Sequence, residues 1–205
     1  MAGSGPSQPA ARRRRESPAE GEARRAAVDD LEVVLAAGLR FLEARSRSVQ
    51  EVRRRLSDAG YGPELVGGAI DRLAAIGLLD DELFARAWIE SRDRARPRGE
   101  LVLRRELSQR GVSRADIATA LAERREAAAE RIRAAIDSPD EAERPGSADE
   151  AAARRLIERR RHDLERIDDP RKRRERAYAL LARNGFDPEV CRTVAGSVAP
   201  SAARP

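Results

Sequence analysis

Carboxylates that could carry chemistry stand together in the stretch GLLDDELFARAWIESR, residues 77–92. Asp80, Asp81 and Glu82 are adjacent, and such a group could hold a cation or serve as a general acid and base. A helix start explains them better, because Asp80 can cap free N–H groups while its neighbours place negative charge at the positive end of the helix dipole. The sequence also has no acid-rich loop of calcium-binding spacing. We therefore interpret the three acids as the first turn of a helix.

Apolar residues follow these acids at helical spacing. They are Leu83, Phe84, Ala87 and Trp88. The spacing predicts one apolar face, on which Phe84 and Trp88 are the large core side chains, and it leaves Arg86 outside that face.

His162 and Cys191 are the single histidine and the single cysteine of the chain. Zinc requires about four such ligands, and a thiol–imidazole nucleophile would require an exposed cysteine. Cys191 instead matches Val66 and Ile117 in the repeat described below, which predicts a core residue, since a free cysteine packs as a small hydrophobe. The sequence also lacks a P-loop and a dinucleotide-binding glycine pattern. We therefore expect no enzyme, no cofactor and no metal site.

The composition favours an all-α fold. Charged residues make up 38% of the 205 residues, hydrophobic residues 40% and aromatic residues only 3%. This mixture suits short amphipathic helices with narrow apolar stripes. No extended alternation of β-branched or aromatic residues indicates a strand.

The charge and the remaining composition point to a reducing compartment and a polyanionic partner. The net charge is +5 and the pI about 10.4, although Lys172 is the only lysine, and an arginine bias can reflect genomic base composition. One cysteine permits no intramolecular disulfide. No apolar run approaches the roughly 20 residues of a membrane span, and the N-terminus has no signal-peptide apolar region. We expect a cytoplasmic protein without membrane contact.

One helical pattern occurs three times. The copies are VRRRLSDAGYGPELVGGAI from residue 52, LRRELSQRGVSRADIATAL from residue 103 and AYALLARNGFDPEVCRTVA from residue 177. In each copy, leucine precedes a glycine by four positions and an apolar residue follows it. Gly60, Gly111 and Gly185 are therefore predicted to end helices in the left-handed conformation. Ser113 and Asp187 are predicted to cap the helices that come next.

An amphipathic helix precedes each copy, so the predicted fold is an elongated, curved array of three tandem three-helix repeats. Stacking makes such units stable, because one of them is too small to bury its own core. The predicted boundaries are a disordered tail at 1–30, a first repeat at 31–77, a second repeat with a helical extension at 78–136, a flexible linker at 137–149, a third repeat at 150–200 and a disordered C-terminus at 201–205.

Basic residues recur at equivalent places of the repeats. Arg53 and Arg54 follow the predicted core residue of the first copy by one and two positions, and Arg104 and Arg105 do so in the second. Further candidates are Arg96 and Arg98 in the preceding loop and the cluster Arg171, Lys172, Arg173 and Arg174 in the third unit. These positions point away from the apolar stripe, which favours contact with phosphate or a partner over a merely solvated face.

Several of these motifs together resemble the RecX family of bacterial regulatory proteins. They are GLLDDELFARAWIESR, RPRGELVLRREL, RGVSRADIATAL and RRERAYALLARNGFDPEV, in that order. The resemblance covers Val33 to Val198. Glu100 departs from it, because the family often has proline there.

The resemblance implies a set of functions and partners. RecX proteins bind RecA and its filament on single-stranded DNA, lie in the filament groove or at its end, and usually inhibit recombinase, ATPase and coprotease activity. It thus implies a regulator of DNA repair, homologous recombination and the SOS response that acts as a monomer, with double-stranded DNA as a further candidate partner. Two alternatives remain: a general nucleic-acid-binding helical repeat without RecA specificity, and a protein-interaction scaffold.

Overall fold

The computed structural model describes residues 17–134 and 146–198, and every regular element in these two segments is an α-helix. The helices are α1 Pro18–Ala26, α2 Leu31–Glu43, α3 Val49–Asp58, α4 Pro63–Ala75, α5 Asp81–Ala95, α6 Glu100–Gln109, α7 Arg114–Ala134, α8 Ala148–Arg159, α9 Arg161–Glu165, α10 Pro170–Arg183 and α11 Pro188–Gly196. The all-α prediction is confirmed.

The first unit consists of α2, α3 and α4. Its core holds Val34, Val52, Leu56 and Leu73, which are all almost fully buried. Val52 and Leu56 lie one turn apart on α3, so both reach the same side of that helix. The helix begins at a capping box in which Ser48 and Glu51 satisfy each other's free N–H groups.

The second unit consists of α5, α6 and α7 around a core that includes Leu103, Leu107 and Leu121. The predicted helical extension is not a separate element, since α7 runs without a break from Arg114 to Ala134. Ser113 caps this helix as predicted, because its hydroxyl accepts a hydrogen bond from the N–H of Asp116 at 3.1 Å.

The apolar face of α5 differs from the predicted one. Phe84, Ala85 and Ile89 are buried, whereas Leu83 is 55% exposed and Ala87 is also exposed. The core face is thus turned by one residue, about 100° around the helix. The reason is tertiary: α5 packs on α7 along much of its length and on α6, and these neighbours select which side is buried.

The third unit has four helices instead of three. The predicted single helix after residue 149 breaks at Arg160, so α8 and the short α9 are separate elements. Leu164 on α9 packs against Ala177 and Ala195, in a small cluster beside the main core of the unit. Helix α8 begins at Ala148, inside the predicted linker, while residues 137–145 of that linker lie outside the described segments.

The three predicted C-terminal glycines have the expected backbone conformation. Gly60, Gly111 and Gly185 have φ angles of 96°, 80° and 81°, a region in which a side chain on Cβ would be strained. Val112 and Phe186, the residues after two of them, are buried. This confirms that the repeat in the sequence reflects a repeated helix ending.

Neighbouring units meet at the carbonyl of the residue before this glycine. In the first junction the hydroxyl of Ser48 donates to the carbonyl of Arg110 at 2.6 Å. In the second the N–H of Gly99 donates to the carbonyl of Asn184 at 3.0 Å. Such carbonyls have no partner within their own helix, so the preceding unit supplies one.

Acids in the first turn of each following unit complete the junctions. Asp81 accepts the N–H of Val49 at 2.9 Å, and Asp149 accepts the N–H of Glu100 at 3.1 Å. Both donors are the first residues of the helix that ends just before the left-handed glycine of the unit. The corresponding residue of the third unit is Pro170, which has no N–H to donate, so a further unit could not join in this way.

Helix α1 corrects the prediction that the whole stretch 1–30 is disordered. Ser17 and Glu20 form a capping box at its start, and the side chain of Arg25 donates to the carbonyl of Ala59. Ala59 precedes Gly60, so this is the same carbonyl that a preceding unit contacts in the two junctions. Helix α1 therefore makes the contact that a preceding unit makes in the other two junctions.

The rest of the predicted tail, residues 1–16, lies outside the described segments. The predicted disordered C-terminus at 201–205 lies outside them as well.

Candidate nucleic-acid and protein interface

The acidic stretch starts a helix, as predicted. Asp80 accepts the N–H of Leu83 at 2.9 Å, which is the capping contact. Asp81 lies half-buried at the junction of the first two units, and burial raises the pKa of its carboxyl group despite the hydrogen bond from Val49. Within residues 17–134 and 146–198 no cluster of His, Cys, Asp and Glu could hold a metal ion.

Two guanidinium groups lie over the ring of Trp88. The carbons of Arg92 and Arg110 at the centre of these groups are 4.2 and 3.8 Å from its ring centroid. Its indole N–H donates to Glu106 at 2.8 Å, and Arg92 donates to the same carboxylate at 2.7 Å. The cation–π contacts and the shared carboxylate hold α5 to α6, so the predicted structural role of Trp88 rests on polar contacts as well as packing.

Cys191 is a core residue, as its repeat position predicts. The side chain is fully buried and its thiol lies 3.5 Å from the carbonyl of Phe186. Burial raises the pKa of the thiol, which opposes formation of the nucleophilic thiolate. His162 is exposed on α9.

Arg53 and Arg54 lie on the exposed side of α3. They follow the buried Val52 directly, so they point away from the core of the first unit. Arg54 is 3.7 Å from Asp58 one turn later, and its side chain is 80% exposed. Such an exposed pair contributes little stability, and it leaves the guanidinium accessible to a partner.

Arg104 and Arg105 occupy the equivalent position on α6, directly after the buried Leu103. Both are exposed. Arg104 pairs with Glu100 at 2.7 Å, and Arg125 from α7 contacts the same carboxylate at 3.1 Å. The first two units thus place a pair of arginines at equivalent positions of α3 and α6. The charge of Arg104 is partly neutralised by Glu100.

Arg96 and Arg98 differ in their surroundings. Arg96 is exposed just after the end of α5. Arg98 is half-buried and its guanidinium donates to the side-chain oxygen of Asn184, in the junction between the second and third units. Arg98 therefore holds the units together in addition to any contact with a partner.

The basic cluster of the third unit divides into exposed and buried members. Arg171, Lys172 and Arg174 are exposed on the first turns of α10. Arg173 is only 1% exposed, and its guanidinium donates to the carbonyl of Ile167 at 2.7 and 3.0 Å. This corrects the prediction that all four residues of the cluster are candidates for partner contact, because Arg173 stabilises the chain before α10 instead.

Sequence reasoning missed a buried ion-pair cluster centred on Arg124. Its guanidinium contacts Asp93 at 2.9 Å and Asp149 at 2.5 Å, and its side chain is only 6% exposed. Burial by itself lowers the pKa of Arg124, but the hydrogen bonds and charges of the two carboxylates outweigh it and raise the pKa. In the sequence Arg124 is one of many arginines on a charged helix, and nothing local distinguishes it.

The exposed cations lie on α3, α6 and α10, and we call these surfaces the arginine faces. They comprise Arg53 and Arg54 on α3, Arg104 and Arg105 on α6, and Arg171, Lys172 and Arg174 on α10. The pairs on α3 and α6 follow the same core position, whereas the cluster on α10 lies at the start of its helix. Cations that recur along a chain of units can contact phosphates that recur along a nucleic-acid strand. In the described part of the chain no helix is both long and apolar enough to cross a membrane.

Comparison with known families matches each of the three units. Models of the first, second and third three-helix domains of RecX match residues 35–73, 80–121 and 148–194. The matches occur in the order of the family.

Individual relatives carry the same name. A protein of Mycobacterium sp. (strain JLS) called "Regulatory protein RecX" is 34% identical over 152 residues, which cover 72% of each chain. A protein of the same name from Mycobacterium marinum is 35% identical over 162 residues, covering 78% of this chain and 82% of the relative. Among solved structures, the crystal structure of RecX from Lactobacillus salivarius matches with a TM-score of 0.62 at 18% identity, over 83% of this chain and 97% of that one.

Proposed function

The chain belongs to the RecX family of regulatory proteins, and from this premise we propose that it binds RecA and its filament on single-stranded DNA. Binding inhibits the recombinase, ATPase and coprotease activities of RecA. The protein thereby regulates DNA repair, homologous recombination and the SOS response in the cytoplasm. It acts as a monomer and without a catalytic step of its own.

The arginine faces are the observation that best supports this proposal. Arg53 and Arg54, and again Arg104 and Arg105, follow a fully buried core residue directly and are themselves exposed. The packing of the first two units therefore holds these cations at an equivalent place. Several weak phosphate contacts held on one scaffold give a combined affinity far above that of any single contact.

Occupation of a filament is sufficient for inhibition. A helical array bound along the groove or at the end of a filament hinders the movements of RecA subunits or favours their loss. No covalent chemistry is required, which fits the burial of the single thiol at Cys191.

The rate of ATP hydrolysis by the cognate RecA on single-stranded DNA tests the proposal. We expect the rate to fall when this protein is added well below one copy per RecA. An unchanged rate over the whole titration, with binding to bare DNA intact, contradicts the proposed regulation of RecA.

A general nucleic-acid-binding helical repeat is the second candidate function. The arginine faces favour it because guanidinium groups contact phosphates of any sequence and carry no preference for RecA. Its signature is salt-sensitive binding to bare nucleic acid without an effect on RecA.

A further inference from the structure

Three large apolar side chains stand in solvent where the first unit meets the second. Ile76, Leu78 and Leu83 are 59%, 50% and 55% exposed. Ile76 and Leu78 lie between α4 and α5, and Leu83 lies in the first turn of α5. We call them the apolar corner. Three other large hydrophobic residues of the described segments are exposed, at 42% for Val33, 64% for Leu101 and 36% for Tyr178, and each lies on a different helix, α2, α6 and α10.

The exposure of the apolar corner is unlike the other helix endings of the fold. After α6 and α10, the apolar residue that follows the left-handed glycine, Val112 or Phe186, is buried. Gly77 is left-handed too, with φ of 74°, yet Leu78 after it is exposed. The next residue, Leu79, fills the core instead. The side chain of Leu79, and not that of Leu78, therefore packs in the core of the first unit.

The charges around the apolar corner are acidic or neutralised. Asp71 on the last turns of α4 and Asp80 at the start of α5 are exposed. Two cations stand next to this stretch, and both are paired with acids: Arg72 on the last turn of α4 contacts Glu32 at 3.1 Å, and Arg86 on α5 contacts Glu82 and Glu123. Acids therefore outnumber cations at this surface, which disfavours phosphate there.

We propose that the apolar corner is the surface that docks the partner protein, separately from the arginine faces that contact DNA. The partner surface it fits presents apolar side chains with cationic residues at their edge, which complement Asp71 and Asp80. This inference rests on the proposed function, in which that partner is RecA, and it divides the molecule into a protein-binding and a DNA-binding surface.

Burial of these side chains supplies the affinity. Each of the three already projects into water, so docking removes apolar area without any rearrangement of the core. A small group of such residues commonly dominates the binding free energy of an interface.

A triple variant, Ile76→Ser, Leu78→Ser and Leu83→Ser, tests the division of surfaces. We expect its affinity for DNA-free RecA to fall about 100-fold, since three apolar anchors are lost. Its affinity for bare single-stranded DNA stays within about twofold of the wild type, because exposed substitutions leave the fold intact. The matched control carries Val33→Ser and Leu101→Ser, which are also exposed apolar positions, and it retains both affinities.

The outcomes separate this inference from the proposed function. If the wild type binds RecA and the triple variant binds it equally well, the apolar corner is not the docking surface and the proposed function stands. If the triple variant loses affinity for DNA as much as for RecA, the protein-binding and DNA-binding surfaces are not separate. A wild type that binds no RecA overturns both. Should circular dichroism show that the triple variant is unfolded, Leu78→Ser and Leu83→Ser are measured singly, with about a fivefold loss of RecA affinity expected for each.

Discussion

The carboxylate of Asp149 accepts a hydrogen bond from the N–H of Glu100 at 3.1 Å, and its other oxygen contacts the guanidinium of Arg124 at 2.5 Å. One side chain in the first turn of α8 thus binds two elements of the preceding unit. Asp81 makes the corresponding backbone contact with Val49 one unit earlier. The units are therefore joined by a repeated polar contact as well as by packing.

Removal of this carboxylate weakens the second junction. We expect Asp149→Ala to lower the free energy of unfolding by about 2 kcal/mol, because Arg124 stays buried with one of its two partners and the N–H of Glu100 loses its acceptor. Urea denaturation measures the change. The control is Asp163→Ala, whose ion pair with Arg160 is largely exposed. Equal stability of the two variants would show that the junction does not depend on Asp149.

Asp81 makes stability depend on pH in a direction set by its burial. Its pKa in the folded protein is raised above the ordinary value of 3.8, so the folded state binds the proton more tightly than the unfolded state. The contribution of protonated Asp81 to the free energy of unfolding is then fully present below pH 3.8, and it is lost as the pH rises through the pKa of Asp81 in the folded protein. Asp81→Asn keeps an acceptor for Val49 and removes the titration.

The comparison of urea midpoints between Asp81→Asn and the wild type at several pH values checks this. We expect the variant to gain stability relative to the wild type as pH rises from about 4 to 7. A constant difference over that range would contradict a raised pKa.

Helix α1 depends on its contact with the carbonyl of Ala59. We expect Arg25→Ala to increase amide hydrogen exchange within α1 about tenfold, because a charged hydrogen bond that holds the helix to the first unit is lost. Arg45→Ala is the control, since it removes the same charge from an exposed position outside α1. If both variants exchange at the same rate, net charge rather than this contact positions α1.

The arginine faces carry the salt dependence of DNA binding. A variant with Arg53, Arg54, Arg104 and Arg105 changed to alanine should lower the slope of log affinity against log salt by about 3, at roughly 0.7 per phosphate contact on a single strand. Its inhibition of RecA should fall as well. The control changes four exposed arginines elsewhere, namely Arg40, Arg45, Arg131 and Arg133. A variant that still inhibits RecA fully would exclude the four arginines as contacts.

Neighbouring arginines on α10 should behave differently. Arg173→Ala should lower the free energy of unfolding by about 2 kcal/mol, because the buried guanidinium holds the carbonyl of Ile167. Arg174→Ala should leave stability within about 0.5 kcal/mol and weaken DNA binding instead. Thermal unfolding and DNA titration of both variants distinguish the roles, and a stable Arg173→Ala protein would show that the buried contact is dispensable.

Local sequence features were enough to predict the repeat. A glycine at the end of a helix and an aspartate at the start of one act within a few residues, so Gly111, Gly185 and Asp187 behave as predicted. The order of helices followed from the same signals. The burial of Cys191 followed from its match with two core positions of the other units.

What the sequence by itself determined is therefore the helical class, the repeat and the helix ends marked by glycine, because these depend on residues close together in the chain. Only the tertiary structure decided which face of α5 is buried, that α1 docks on the first unit and that Arg173 is internal. It also brought Arg124 to Asp149, 25 residues away, and placed Leu78 in solvent beside a buried Leu79. The physical reason is that burial and ion pairing depend on which elements pack together, and an arginine in the core of a junction has the same local sequence signal as one in water.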